Sequence, residues 1–121
     1  MPAPLSLRWV ALTLGCVLLL AIGQVLFKIA AGGWRVEGWS IATLRNFLSA
    51  PMLVALAVYA VATFAWVFVL RNVPLGAAYP LFSLAFVVTP LLAHVVLGEP
   101  LALRTLAGAT IIVVGVIVAV H

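Results

Sequence analysis

Charged side chains are scarce in this chain. Six of its 121 residues are Lys or Arg, two are Asp or Glu, and 68% are hydrophobic. A chain of this composition has too little polar surface to dissolve as a globule. Its net charge of +4 is expected to come from Lys and Arg flanking membrane spans, not from a surface that binds nucleic acid. We therefore expect a membrane protein without a nucleic-acid partner.

Cysteine and acidic residues are almost absent as well. Cys16 is the single cysteine, which excludes an intrachain disulfide and a cysteine cluster for a metal. The two acids, Glu37 and Glu99, fall in predicted loops or at a helix end. The sequence also has no glycine-rich phosphate loop and no nucleophile paired with a base. It predicts neither an enzyme, nor a cofactor, nor a metal site.

What the chain does have is long apolar runs between its few charges. Four uncharged stretches each approach or exceed the roughly 20 residues that a helix needs to cross a bilayer core: 9–27, 46–70, 72–98 and 105–121. They predict an all-α membrane protein that forms a single domain over 1–121. Its four transmembrane helices are expected at approximately 9–31, 46–70, 75–97 and 101–120.

The longest predicted connection, 32–45, mixes aromatic and charged residues. Trp34, Arg35 and Trp39 are typical of a segment that lies in the headgroup layer instead of crossing it. The segment could hold a short interfacial helix. In the third span Pro80 and Pro90 each remove an intrahelical hydrogen bond and should bend the helix.

Polar groups inside predicted spans are candidate functional residues because an unpaired polar group is costly in hydrocarbon. Gln24 and Lys28 lie four residues apart and so share one helical face. Either Lys28 extends to the interface while Gln24 hydrogen-bonds between helices, or the two form a cationic site for an anionic lipid headgroup. On the third helix Tyr79 and Phe82 are either packing aromatics or the lining of a substrate cavity.

The fourth helix carries small residues on one face. Gly108, Gly115 and Ala119 lie there, and Gly115 and Ala119 form a small-x-x-x-small pair that allows close helix approach. The pattern predicts a dimer interface, although packing within one four-helix chain would use the same residues.

Several segments resemble the small multidrug resistance and EamA-like transporters, and most closely the ArnE/ArnF-type subunits of the aminoarabinose-phosphoundecaprenol flippase. They are the run 70–83 (Leu-Arg-Asn-Val-Pro-Leu-Gly-Ala-Ala-Tyr-Pro-Leu-Phe-Ser), the turn Leu-Gly-Glu-Pro-Leu at 97–101, and the glycine-bearing stretch 108–116. Gly23, Gln24 and Lys28 extend the resemblance over nearly the whole chain.

The sequence departs from the multidrug exporters at informative positions. Those exporters carry a membrane-embedded Glu in the first helix, and alignment on Gly23 and Lys28 places Leu20 there. Phe82 stands where they have Trp, and Leu84 and Phe86 replace glycines. These departures argue against drug export and resemble the lipid-flippase subgroup.

The resemblance implies a flippase, or a flippase subunit, that translocates an undecaprenyl-phosphate-linked sugar across the bacterial inner membrane, with aminoarabinose as one candidate. It implies a homodimer, or a heterodimer with a related four-helix subunit. Within this interpretation Lys28 and Gln24 bind the phosphate, Tyr79 and Ser83 donate further hydrogen bonds, and Phe82 lines the cavity.

Two alternatives remain open. A small multidrug or cation exporter belongs to the same broad class but would need the intramembrane carboxylate that this chain lacks. A non-transporting membrane subunit of a glycosyltransferase system belongs to another class. Binding of a lipid phosphate distinguishes a transporter from such a subunit.

Overall fold

The computed structural model describes residues 6–120, and every regular element in that range is a helix. The ends of the predicted domain, residues 1–5 and 121, lie outside the described part. The helices are α1 (Leu7–Gly32), α2 (Ile41–Phe47), α3 (Ala50–Asn72), α4 (Leu75–Phe82), α5 (Ala85–Leu97) and α6 (Leu103–Val120).

Four segments are long and apolar enough to cross a membrane: α1, α3, the combined α4 and α5 over Leu75–Leu97, and α6. With 26 residues, α1 is about 39 Å long and exceeds the roughly 30 Å hydrocarbon core. The 18 residues of α6 give about 27 Å, so this is the shortest span, with Arg104 in its first turn. The predicted all-α membrane fold with four spans is confirmed.

The first helix is the centre of the bundle. Its neighbours are α3 on one side and α4 and α5 on the other, while α6 packs against α4 and α5. A core cluster joins α1, α3 and α4 through Cys16, Val69, Val73 at the end of α3, and Ala78 of α4. The first helix supplies the largest share of the buried residues, whereas Gln24 and Lys28 lie on its exposed surface.

The connection between α1 and α3 is compact and contains the expected short helix, α2. Ser40 caps this helix by accepting a hydrogen bond from the Thr43 amide. The Thr43 hydroxyl donates to the Gly38 carbonyl at 2.7 Å and accepts from the Glu37 amide at 2.9 Å. The side chain of Trp39 is fully exposed. These bonds satisfy backbone groups locally, as a segment at a membrane surface requires.

The third span is interrupted one turn after Pro80, at Ser83 and Leu84. The Ser83 amide keeps the regular bond to the Tyr79 carbonyl at 3.0 Å and is shared with the Pro80 carbonyl at 3.2 Å. The Leu84 amide bonds three residues back, to Leu81 at 3.1 Å, which tightens the helix locally. The Ser83 hydroxyl also donates to the Pro80 carbonyl and competes with the regular ladder. Pro80 and Pro90 themselves lie inside α4 and α5, so the interruption follows the first proline instead of coinciding with it.

Candidate functional site

Two adjoining cavities lie between α1 and α5, and Gln24 and Thr89 belong to both. We call the larger one, of about 420 Å³, the inner cavity; its lining includes Leu20, Tyr59 and Phe82. The outer cavity, of about 250 Å³, includes Lys28 and Glu99. A further cavity of about 370 Å³ continues from Thr89 and Glu99 toward the start of α6. Together they form a continuous groove along α5.

The outer cavity holds both signs of charge. Gln24 and Lys28 reach it from one face of α1, as their spacing predicts, and Glu99 reaches it from the turn after α5. Lys28 is one turn from the end of α1 and Glu99 is two residues beyond the end of α5. The charged end of the groove therefore lies at the membrane face on the side of the two connections that follow α1 and α5.

Hydrogen bonds fix the turn that carries Glu99. Gly98 adopts a left-handed conformation with φ of +70°, which favours glycine and ends α5. The Glu99 amide donates to the Ala93 carbonyl at 3.3 Å. His94 Nδ1 lies 2.8 Å from the Glu99 carbonyl oxygen, and because a carbonyl only accepts, Nδ1 carries the proton. The turn thus holds Glu99 at a defined position beside the groove.

Tyr59 is a lining residue that the sequence did not indicate. Its ring packs against Gly23, where an added Cβ would lie 3.0 Å from Tyr59 Cδ2, and its centroid is 5.3 Å from that of Phe27. A side chain at position 23 would occupy the space that Tyr59 fills. The only signal in the sequence was Gly23 itself, one residue before Gln24, since a glycine inside a helix often marks a close approach.

Phe82 lines the inner cavity and belongs to an aromatic cluster with Trp66 and Tyr79. Phe82 is 4.8 Å from Trp66 and 5.5 Å from Tyr79, between ring centroids, and it stacks on Tyr79 at an interplanar angle of 24°. Tyr79 lies outside the cavity with 58% of its surface exposed. Tyr79 therefore contacts the Phe82 ring from outside the cavity.

The structure brings together three of the five predicted substrate residues. Gln24 and Lys28 line the outer cavity, and Gln24 and Phe82 line the inner one. Tyr79 and Ser83 are not among the residues that line the three cavities. Ser83 instead bonds to the Pro80 carbonyl at the interruption of the third span. Glu99, Thr89 and Tyr59 are lining residues that the sequence did not single out.

The small residues of α6 lie largely on its outer side. A Cβ added at Gly108 or Gly115 would meet nothing within 4 Å, and Ala119 is exposed. The buried residue of α6, Val116, faces the rest of the bundle. The face that carries Gly115 and Ala119 is therefore not used for packing within the described part of the chain.

This arrangement of an apolar groove with charges at one end is suited to a lipid-like molecule, and comparison with known proteins places the chain among transporters. The model of the EamA-like transporter family matches residues 3–121. The chain belongs to the EamA-like transporter family. This membership confirms the prediction of a transporter and not an enzyme, and with the four spans it makes the chain a multi-pass membrane protein.

Several relatives can be aligned with most of this EamA-like chain. A protein of Pseudomonas aeruginosa (strain UCBPP-PA14), named "Probable 4-amino-4-deoxy-L-arabinose-phosphoundecaprenol flippase subunit ArnE", is 38% identical over 110 residues, which cover 88% of this chain and 92% of that one. A protein of the same name from Pectobacterium atrosepticum is 34% identical, covering 82% and 86%. No solved structure matches the chain significantly. The relatives confirm the resemblance to ArnE-type members of the EamA-like family.

Leu20 occupies an informative place in this EamA-like chain. It lines the inner cavity with 5% of its surface exposed. The resemblance described above leads us to expect the exporters' membrane-embedded Glu at this position. Leucine stands there instead, and none of the residues that line the inner cavity is an acid.

Proposed function

We propose that this chain is a flippase subunit that moves a polyprenyl-phosphate-linked amino sugar across the bacterial inner membrane. The relatives named as probable subunits of a 4-amino-4-deoxy-L-arabinose-phosphoundecaprenol flippase support this substrate class. The observation that carries the proposal is the groove in which Gln24 and Lys28 lie at one end of an apolar passage.

The two ends of the groove match the two parts of such a lipid. A phosphate needs a cationic partner wherever water is limited, and the Lys28 ammonium with the Gln24 amide provides one. The apolar walls, including Leu20 and Phe82, favour contact with the first units of the polyprenyl chain. The remainder of the tail stays in the surrounding lipid.

Residues of the third span take positioning roles in this proposal. Tyr79 stacks on Phe82 and keeps that ring against the cavity. Ser83 maintains the interruption between α4 and α5 through its bond to Pro80. A change in the angle between α4 and α5 would widen or narrow the inner cavity, because Phe82 ends α4 and Phe86 lies in α5.

A partner subunit completes the proposal. The third and fourth spans are largely exposed: α5 has no buried residue and α6 has one, Val116. The groove is open on the side of these two spans. A second four-helix chain, either a copy of this one or a related subunit, would enclose the headgroup. We assign Gly108, Gly115 and Ala119 of α6 to that contact because small residues allow helices to approach closely in lipid.

Lys28 provides the test of the proposal. In Lys28→Met the phosphate loses its cationic partner, so binding of the polyprenyl-phosphate sugar should fall by about tenfold or more. Lys28→Arg should retain part of the affinity, since it keeps the charge but changes its geometry. Affinities are measured by native mass spectrometry of the purified proteins titrated with the lipid.

Arg45→Met is the matched control. Arg45 lies in α2 on the same side of the membrane and outside the cavities, so its loss removes one positive charge without touching the groove. Equal lipid affinity in the parent and in Lys28→Met would show that Lys28 does not bind the phosphate. If no polyprenyl phosphate binds to the parent, alone or with its sister subunit, the flippase proposal fails and a non-transporting subunit is the better description.

A further inference from the structure

The outer cavity contains an acid that phosphate binding does not explain. Lys28 and Gln24 are sufficient partners for a phosphate, yet Glu99 lines the same cavity of about 250 Å³. A carboxylate beside a phosphate site is unfavourable unless a positive charge on the ligand compensates for it. Glu99 is also half-buried, and the backbone bonds of its turn fix its position beside the cavity.

We propose that Glu99 binds the ammonium group of the headgroup, so that the cavity is specific for a lipid phosphate that also carries an amine. Lys28 and Glu99 approach the cavity from different helices, α1 and the turn after α5, and so provide a positive and a negative end. A zwitterionic headgroup pairs with both. A headgroup that carries phosphate alone pairs with Lys28 and leaves Glu99 without a partner. The inference rests on the proposed function and adds a specificity-determining residue to it.

The surroundings of Glu99 support a binding role over a merely structural one. The hydrogen bonds that shape the turn use the backbone of Glu99, its amide to Ala93 and its carbonyl to His94. Its carboxylate is not needed to form the turn. Glu99 also lines the neighbouring cavity with Thr105, so this residue borders both cavities.

The test compares the binding of two lipids to the parent protein, Glu99→Gln and Glu37→Gln, with Glu99→Asp as a further variant. The lipids are the polyprenyl-phosphate amino sugar and the same lipid with its amine N-acetylated, which removes the positive charge and keeps the phosphate. In Glu99→Gln the affinity for the amino lipid should fall by about tenfold or more, because an interaction with a charged partner is lost. The affinity for the acetylated lipid should stay within about twofold of the parent, or rise. Glu37→Gln removes the other acid of the chain, which lies in the first connection, and should change neither affinity.

Each outcome has one meaning for the inference. Loss restricted to the amino lipid supports it, and partial recovery in Glu99→Asp supports it further. Equal affinities of Glu99→Gln and the parent for the amino lipid overturn it and leave the flippase proposal intact. Equal loss of both lipids also overturns it, since Glu99 would then act through the shape of the turn. If the parent binds neither lipid, the proposed function itself fails.

Discussion

Replacement of Gly23 by alanine tests whether the close contact between α1 and α3 shapes the inner cavity. The new Cβ would stand 3.0 Å from Tyr59 Cδ2. Two carbons in normal contact are roughly 3.5–4.0 Å apart, so the ring must retreat by a few tenths of an ångström. Phe27 limits that movement, because its ring centroid is 5.3 Å from that of Tyr59. Overpacking of this kind costs about 1–3 kcal/mol.

The same chain provides a matched control. Gly15 also lies in α1, and a Cβ added there meets nothing within 4 Å. Both substitutions change the intrinsic helix preference equally, so the difference between them isolates the steric term. Gly23→Ala should be less stable than Gly15→Ala by about 1–3 kcal/mol in a reversible SDS titration in mixed micelles.

Lipid binding should change in the same direction as stability in these two variants. Tyr59 lines the inner cavity next to Gln24, so a displaced ring should also weaken lipid binding in Gly23→Ala and leave it unchanged in Gly15→Ala. Binding is measured by native mass spectrometry of the same preparations. If the two variants have equal free energies of unfolding and equal lipid affinities, the contact between Gly23 and Tyr59 does not shape the site and the reasoning is refuted.

Two further predictions concern the groove and the assembly. Leu20→Glu should not create proton-coupled export of quaternary ammonium compounds, because Lys28 lines the adjoining outer cavity and such a compound has no phosphate to pair with it; robust efflux by vesicles carrying this variant would contradict the assignment. Gly115→Leu should weaken the proposed assembly, because its side chain fits the isolated chain but prevents close helix approach. An unchanged subunit count and detergent resistance in native mass spectrometry would exclude this face as the interface.

The architecture could be predicted from the sequence because it depends on length and hydropathy alone. A span requires about 20 apolar residues whatever its neighbours are, and a backbone in lipid must form its hydrogen bonds within the helix. The uncharged runs therefore indicated four helices, and the aromatic and charged residues around Trp34 and Trp39 indicated the short helix between the first two spans. The resemblance to EamA-like transporters depended on local motifs and was confirmed by the family match.

The lateral arrangement could not be predicted in this way. Lipid tails are as apolar as leucine, so a spanning helix can be apolar on every side and its sequence does not mark the face that packs. Gln24 and Lys28 could be placed on one face because their spacing is local. That Tyr59 packs on Gly23, and that Glu99 shares a cavity with Lys28 from 71 positions earlier in the chain, depends on which helices are neighbours.

The sequence by itself thus determined the number of spans, the apolar residue at position 20 and the polar pair on the first helix. Only the tertiary structure decided what those residues face. The same division applies to the third span: Pro80 indicated a local weakness, but the position of the interruption depended on where the Ser83 hydroxyl and the amides of 83 and 84 found partners. Local chemistry limits the conformations available to each segment, and the packing of distant segments selects among them.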